Sequence, residues 1–145
     1  MKNIFIGIFL FNIFVISTTY ADVVSVAKFK ALPQEQSNWC WAASIQSIFL
    51  TEGLTTTQSS IVTAAYGAPM NKTAPGFGGT LTIINGLKIS VDRNLWEVSA
   101  SAGNSFPNSN WLYSKLSNNK PVMIWYQDQF SNHSIVINGG VRGQA

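Results

Sequence analysis

The sequence predicts a single α+β domain, in which helices come first and antiparallel strands follow in the last quarter. Two observations indicate this order. Apolar residues recur at helical spacing after position 40, and two β-favouring runs occupy residues 121–126 and 133–138. The length of 145 residues supports one domain, and a chain with 46% hydrophobic residues is not of the disordered class.

The first 21 residues are predicted to be a secretory signal peptide, which leaves residues 22–145 as the folded domain. A short positive start precedes an almost entirely apolar run from Ile4 to Ile16, and Thr19 and Ala21 occupy the positions that a signal peptidase reads. The run is short for a membrane span, and an uncleaved anchor is the alternative. We therefore expect a secreted or periplasmic protein with no stable membrane association after cleavage.

The first helix is predicted to begin near Trp39 or Cys40, with Ser37 as its N-cap and Gly53 at its end. Four apolar residues fall on one face of this helix at the spacing i, i+4, i+7 and i+8. They are Trp41, Ile45, Ile48 and Phe49.

Further short elements follow along the chain. A second helix is predicted from Thr57 to Tyr66, because Gly67 can end it in the left-handed conformation. A helical turn over Thr80–Leu87 and a short strand over Ile89–Val91 come next. Apolar residues within 111–116 predict another helix, which an Asn-Asn pair then ends.

The last quarter predicts a β-hairpin. Pro121–Tyr126 is a continuous apolar run of the kind found in central strands, and His133–Asn138 is a second strand. The polar stretch between them predicts the turn, and Gly139-Gly140 is expected to end the second strand. This arrangement places His133 at the start of the second strand.

The single cysteine and the single histidine exclude two kinds of scaffold. One cysteine cannot form an internal disulfide, and one of each residue cannot complete a structural zinc site, which needs four such ligands. No metal or cofactor is therefore predicted. A formal net charge of +3 without a Lys/Arg cluster also speaks against binding of nucleic acid.

Cys40 and His133 are candidates for nucleophilic catalysis. A helix N-terminus and a neighbouring imidazolium both favour the thiolate of a cysteine, which is its nucleophilic form. Catalytic Cys and His residues are commonly distant in sequence and adjacent in space. An oxyanion would need donors such as the Cys40 backbone N–H and the side-chain amide of Gln34 or Gln36. The alternatives are a buried cysteine that acts as a small apolar residue and a structural histidine.

The segment from Gln34 to Ala43, which reads Gln-Glu-Gln-Ser-Asn-Trp-Cys-Trp-Ala-Ala, resembles the nucleophile region of papain-like cysteine peptidases, especially the short secreted bacterial type. The runs 120–126 and 132–139 are similar to the strand pair that carries the catalytic histidine of that family. The resemblance implies a papain-like fold, in which a helical part with the nucleophile at a helix N-terminus packs on a C-terminal antiparallel sheet. It also selects Gln34 over Gln36.

The resemblance implies a secreted cysteine peptidase that acts on protein or peptide substrates. Cys40 would form a thioacyl intermediate, His133 would act as general base and acid, and Gln34 would contribute to the oxyanion hole. Two other classes are open. One is a different Cys–His acyl transfer, such as a deamidase, transglutaminase-like or cell-wall amidase reaction. The other is an inactive relative that binds peptides.

The family also uses an Asn or Asp from a later strand to orient the imidazole. The candidates here are Asn138, which strand alternation turns to the face opposite His133, and Asp128 in the preceding turn. The tail after Gly140 ends where another hairpin strand is expected, so we expect a C-terminally shortened chain. Trp41 is expected in the core, and Trp39 is the candidate for a wall of the cleft.

Overall fold

The computed structural model describes residues 21–76, 108–127 and 132–142 of the 145-residue chain. Residues 1–20 of the predicted signal peptide, the turn at Thr80–Leu87 and the strand at Ile89–Val91 lie outside these residues. The described part is α+β, as the sequence predicts. In chain order its elements are β1 (Asp22–Ser25), α1 (Cys40–Thr51), α2 (Gln58–Tyr66), α3 (Ser109–Ser117), β2 (Val122–Gln127), β3 (Asn132–Ile137) and β4 (Gly139–Arg142).

The strands form two small antiparallel sheets. The predicted hairpin is confirmed, because β2 pairs with β3 in a register that sets Tyr126 opposite His133. The second sheet was not predicted: β1 pairs with β4, with Val23 opposite Val141. β3 ends at Ile137, before Gly139-Gly140 as expected, but the two glycines are the first residues of β4.

Helix α1 carries the predicted apolar face. Trp41, Ile45 and Phe49 are buried, and Ile48 packs against them from a partly buried position. The chain turns away after Glu52, where Gly53 adopts a φ of +82° that an L-residue rarely reaches. The face and the end of this helix therefore follow the sequence pattern.

The predicted N-cap of α1 is wrong. Trp39 occupies the N-cap position, and no side chain in the described structure caps the helix there. Ser37 lies in a turn before the helix, in which the Trp39 N–H donates to the Gln36 carbonyl at 3.0 Å. The Ser37 hydroxyl accepts a hydrogen bond from Asn71 Nδ2 instead, also at 3.0 Å. This turn separates Ser37 from the helix that it was expected to cap.

The two shorter helices have side-chain caps. Thr57 Oγ1 accepts from the Ser60 N–H at the start of α2, and Gly67 ends that helix in the left-handed conformation, as predicted. Asn108 Oδ1 accepts from the Trp111 N–H at the start of α3. Each cap satisfies an N–H group that has no partner within its own helix.

Packing brings the start of α1 close to the hairpin. Helix α1 contacts α2, β3 and β2, whereas α3 contacts β1, β4 and β2. Leu116 of α3 is buried in this second group. The main core lies around α1 and α2, and its buried members are Trp39, Trp41, Ala42, Ile45, Phe49, Leu54, Ile61 and Val62. The first residue of α1 and the first part of β3 thereby meet at one edge of the core.

Candidate active site

One cleft of about 250 Å³ is lined by the three residues that the sequence singles out, Cys40, His133 and Gln34. Its walls come from the segment 29–34, from one side of α1 and from β3. Apart from the titratable Cys40 and His133, the lining residues are apolar, hydroxyl-bearing or amide-bearing and have no formal charge. The cleft therefore joins a thiol, an imidazole and an amide in an otherwise uncharged surface.

Cys40 is half-buried and is the first residue of α1. The first turn of α1 contains no acidic residue, and no side chain caps it within the described structure. The backbone N–H groups at a helix start have no partner within the helix, and the helix dipole favours negative charge there. The start of α1 thus offers a favourable field to an oxyanion that forms beside the Cys40 sulfur.

Gln34 directs its side-chain amide toward the turn that precedes Cys40. Its Nε2 donates a hydrogen bond to the Ser37 carbonyl at 3.0 Å. A primary amide carries two N–H groups, so this bond fixes the amide and leaves one donor for another acceptor. Gln36 is exposed and does not line the cleft. Both glutamines are exposed, and Gln34 is the one that lines the cleft together with Cys40.

His133 is half-buried in β3, and its position follows from the hairpin register. The ring of Tyr126, its partner on β2, meets the imidazole edge-to-face, with ring centroids 5.8 Å apart and planes at 74°. Such aromatic contacts restrict the orientation of a ring without using its nitrogen atoms. Tyr126 therefore limits the movement of His133 on the side of β2.

The chain also matches a known protein family. Residues 21–145 match the family described as papain-like cysteine protease AvrRpt2. The chain belongs to this family. Neither the curated proteins nor the solved structures give a significant match.

The AvrRpt2-type family assignment confirms the resemblance to papain-like cysteine peptidases that the sequence motifs indicated. The α+β composition of the described residues is consistent with this family. Within the described residues, no group of His, Cys, Asp or Glu is arranged to hold a metal ion. No helix in those residues has the length and apolar character needed to cross a bilayer.

Of the two candidates for the third site residue, Asn138 is the one within the described residues, and it does not line the cleft. Asn138 is exposed between β3 and β4, where its backbone carbonyl accepts a hydrogen bond from the Val26 N–H at 2.7 Å. Asp128 lies outside the described residues. Within the described part of the chain, His133 contacts the ring of Tyr126, and no Asn or Asp side chain lines the cleft beside it.

The two tryptophans that flank Cys40 are both core residues. Trp41 is fully buried, as predicted, and its Nε1 donates to the Lys72 carbonyl at 3.2 Å. Trp39 was expected in the cleft wall, and this expectation is wrong. Its ring is buried in the main core, where Nε1 donates to the Met70 carbonyl at 3.0 Å. The two indoles therefore hold the residues on both sides of Cys40 against the segment 70–72.

Ser134 is a cleft residue that the sequence analysis missed. Its side chain is 4% exposed, and its hydroxyl has no hydrogen-bond partner within the described structure. Ser47 also lines the cleft and is equally buried, but its hydroxyl donates to the Ala43 carbonyl and accepts from the Leu32 N–H. No sequence signal separates these two serines, because the difference depends on contacts between distant segments.

We expect Ser134→Ala to raise the free energy of unfolding by about 1 kcal/mol, because a buried hydroxyl without a partner costs about 1–3 kcal/mol. The matched variant Ser47→Ala is expected to lower it by about 1–2 kcal/mol, since the Leu32 N–H would lose its acceptor. Urea unfolding followed by circular dichroism measures both changes. Two changes of the same sign would contradict the different bonding of the two hydroxyls.

Proposed function

We propose that this chain is a secreted cysteine peptidase that cleaves protein or peptide substrates through a thioacyl intermediate on Cys40. The observation that carries the proposal is the cleft in which Cys40, His133 and Gln34 meet. Membership of a papain-like cysteine protease family supports the reaction class. The packing of α1 on β3 supports a papain-like arrangement, because it joins the nucleophile helix to the strand of the histidine.

The first half of the reaction forms the acyl-enzyme. His133 accepts the proton of the Cys40 thiol, and the sulfur attacks the scissile carbonyl carbon. The resulting oxyanion accepts hydrogen bonds from the Cys40 backbone N–H and from the second N–H of Gln34 Nε2. When the C–N bond breaks, the imidazolium of His133 donates its proton to the leaving amine.

The second half releases the acid. His133 accepts a proton from a water molecule, and the resulting hydroxide attacks the thioester carbonyl. The same two donors hold the second oxyanion. The C–S bond then breaks, and His133 returns its proton to the departing sulfur, which gives the carboxylic acid and the free thiol. The start of α1 has no acidic residue in its first turn, and the cleft lining carries no carboxylate that would repel an anion. Both oxyanions therefore form in a favourable field.

Secretion is proposed from the apolar segment before residue 21. Ala21 is exposed and the first strand begins at Asp22. Cleavage after Ala21 would therefore leave β1 intact and paired with β4. A mature N-terminus at Asp22, read by N-terminal sequencing of the exported protein, is the result expected of this part of the proposal. An N-terminus inside β1 would contradict it.

The proposal predicts an activated thiol. Iodoacetamide is expected to alkylate Cys40 about tenfold faster than it alkylates N-acetylcysteine at pH 7, because His133 accepts the thiol proton. Since the chain has one cysteine, the mass gain of the intact protein reports this site alone. An equal or slower rate would contradict the proposed function. Deamidation, transglutamination and cell-wall amide cleavage share the acyl-enzyme with peptide hydrolysis, so thiol reactivity does not distinguish them. Profiling of the reaction products does.

A further inference from the structure

Gln58, the first residue of α2, is a buried amide whose hydrogen bonds surround Gln34. Its side chain is 1% exposed. Oε1 accepts from the Glu35 N–H at 2.9 Å, and Nε2 donates to the Pro33 carbonyl at 2.8 Å. These two bonds hold the backbone immediately before and immediately after Gln34.

A third bond connects this contact to the nucleophile helix. Gln58 Nε2 also donates to Gln46 Oε1 at 3.1 Å, and Gln46 Nε2 donates to the Thr56 carbonyl at 2.7 Å. Gln46 belongs to α1, the helix that begins with Cys40. The backbone on both sides of Gln34 is thereby tied through one amide to the same helix that carries the nucleophile.

The chemistry of this contact requires an amide. One group must accept from an N–H and donate to two acceptors at the same time, which a primary amide can do and a carboxylate or a hydroxyl cannot. The three bonds are partly buried, but the Gln58 side chain itself is buried, so removal of its amide leaves polar groups without their partner. Gln58 therefore holds the 33–35 backbone in one conformation.

The side chain of Gln34 is fixed at its other end. Its Nε2 donates to the Ser37 carbonyl, and Asn71 holds the same turn through the Ser37 hydroxyl and the Asn38 N–H. Gln58 and the Ser37 carbonyl thus constrain the backbone and the amide of Gln34 independently. Oxyanion donors work only within a narrow distance range, and a displacement of about 1 Å can cost about 10²-fold in rate.

We propose that Gln58 is a positioning residue of the oxyanion hole. It acts through Gln34, by holding the peptide groups on both sides of that residue so that the Gln34 amide stays beside Cys40. This inference rests on the proposed peptidase function. It differs from a general contribution to stability, because it predicts that the effect of Gln58 on catalysis disappears when Gln34 is absent.

The test is a double-mutant cycle of Gln58→Met with Gln34→Ala, read by steady-state hydrolysis of a peptide substrate. Gln58→Met is expected to lower kcat about 10- to 100-fold with KM changed less than about threefold, since the loss falls on the transition state. In the Gln34→Ala background, the same substitution is expected to cost less than about threefold. The rate at which iodoacetamide alkylates Cys40 is expected to stay constant, because alkylation forms no oxyanion.

Thr63→Ala is the control on the same helix, because Thr63 is exposed, does not line the cleft and leaves the three bonds of Gln58 in place. Its kcat is expected to stay within about threefold of the parent. An equal loss from Gln58→Met with and without Gln34, or a parallel loss of Cys40 alkylation, would overturn the proposal.

If Gln58→Met does not fold, Gln58→Glu takes its place, since it keeps an acceptor for the Glu35 N–H and loses the amide donors. Failure of both variants to fold would also overturn the proposal, because Gln58 would then support the fold as a whole. A parent protein without Cys40-dependent hydrolysis would instead overturn the proposed function. Additive losses in an active parent would overturn only the role of Gln58.

Discussion

Cys40→Ala is expected to lower kcat/KM for peptide hydrolysis by about 10⁵-fold or more, while the protein stays folded. The chain contains one cysteine, so no second thiol can form the acyl-enzyme. The substitution removes a single sulfur atom from a half-buried position that takes part in no disulfide. Alanine also favours the helical conformation required at the start of α1. Hydrolysis of a peptide substrate and the midpoint of thermal unfolding measure the two effects.

The control for this loss is Thr63→Ala, an exposed position on α2 that does not line the cleft. Its activity is expected to stay within about twofold of the parent, as for most surface substitutions. Cys40→Ser tests the nucleophile with little change of shape, and it is expected to be nearly as inactive as Cys40→Ala. Hydrolysis above about 1% of the parent rate in either Cys40 variant would mean that another group carries the reaction.

The helices and the hairpin could be predicted because local chemistry determines each of them. Thr57 and Gly67 mark the two ends of α2 with a side-chain acceptor and a left-handed residue. The apolar spacing of α1 indicates its buried face, and the continuous run of β-favouring apolar residues indicates the strand β2. In each case the deciding residues lie within the element or at its ends.

The sheet of β1 and β4 could not be predicted in the same way. Each strand has four residues, and the two lie at opposite ends of the folded sequence. Two glycines in β4 lower its strand propensity, although one of them lies close to the backbone of β1. A Cβ at Gly139 would come within 3.1 Å of the Val24 carbonyl oxygen. The close approach of the two backbones thus favours glycine at position 139, and glycine also weakens the strand signal in the sequence.

Part of the candidate site could also be predicted from residue types and from the motif around Cys40. The rest of the site depends on packing between distant segments. Cys40 and His133 are each the only residue of their type, and the motif around Cys40 selects Gln34. Gln58 and Ser134 carry no such mark, since buried Gln and Ser side chains occur in many roles. The importance of Gln58 depends on bonds to Pro33 and Glu35, which packing of α2 brings together. The sequence therefore indicates the reacting groups, and tertiary contacts determine what holds them.

His133→Ala is expected to lower kcat/KM by about 10³-fold, because one imidazole serves as base for the thiol and as acid for the leaving amine. The structure places this residue in the same cleft as Cys40, and the chain contains no second histidine. The rate of iodoacetamide alkylation of Cys40 is expected to fall toward that of N-acetylcysteine at pH 7. Steady-state hydrolysis and intact-mass kinetics measure the two losses on the same samples.

Added imidazole distinguishes a chemical role of His133 from a structural one. Truncation to alanine leaves space in the cleft, and free imidazole that enters this space is expected to restore hydrolysis at least severalfold while leaving Cys40→Ala inactive. A variant that unfolds would not respond in this way, because the small base cannot rebuild the β2–β3 register opposite Tyr126. An inactive, folded His133→Ala protein whose Cys40 still reacts at the parent rate would contradict proton transfer between the two residues. The activating group would then have to lie elsewhere in the cleft.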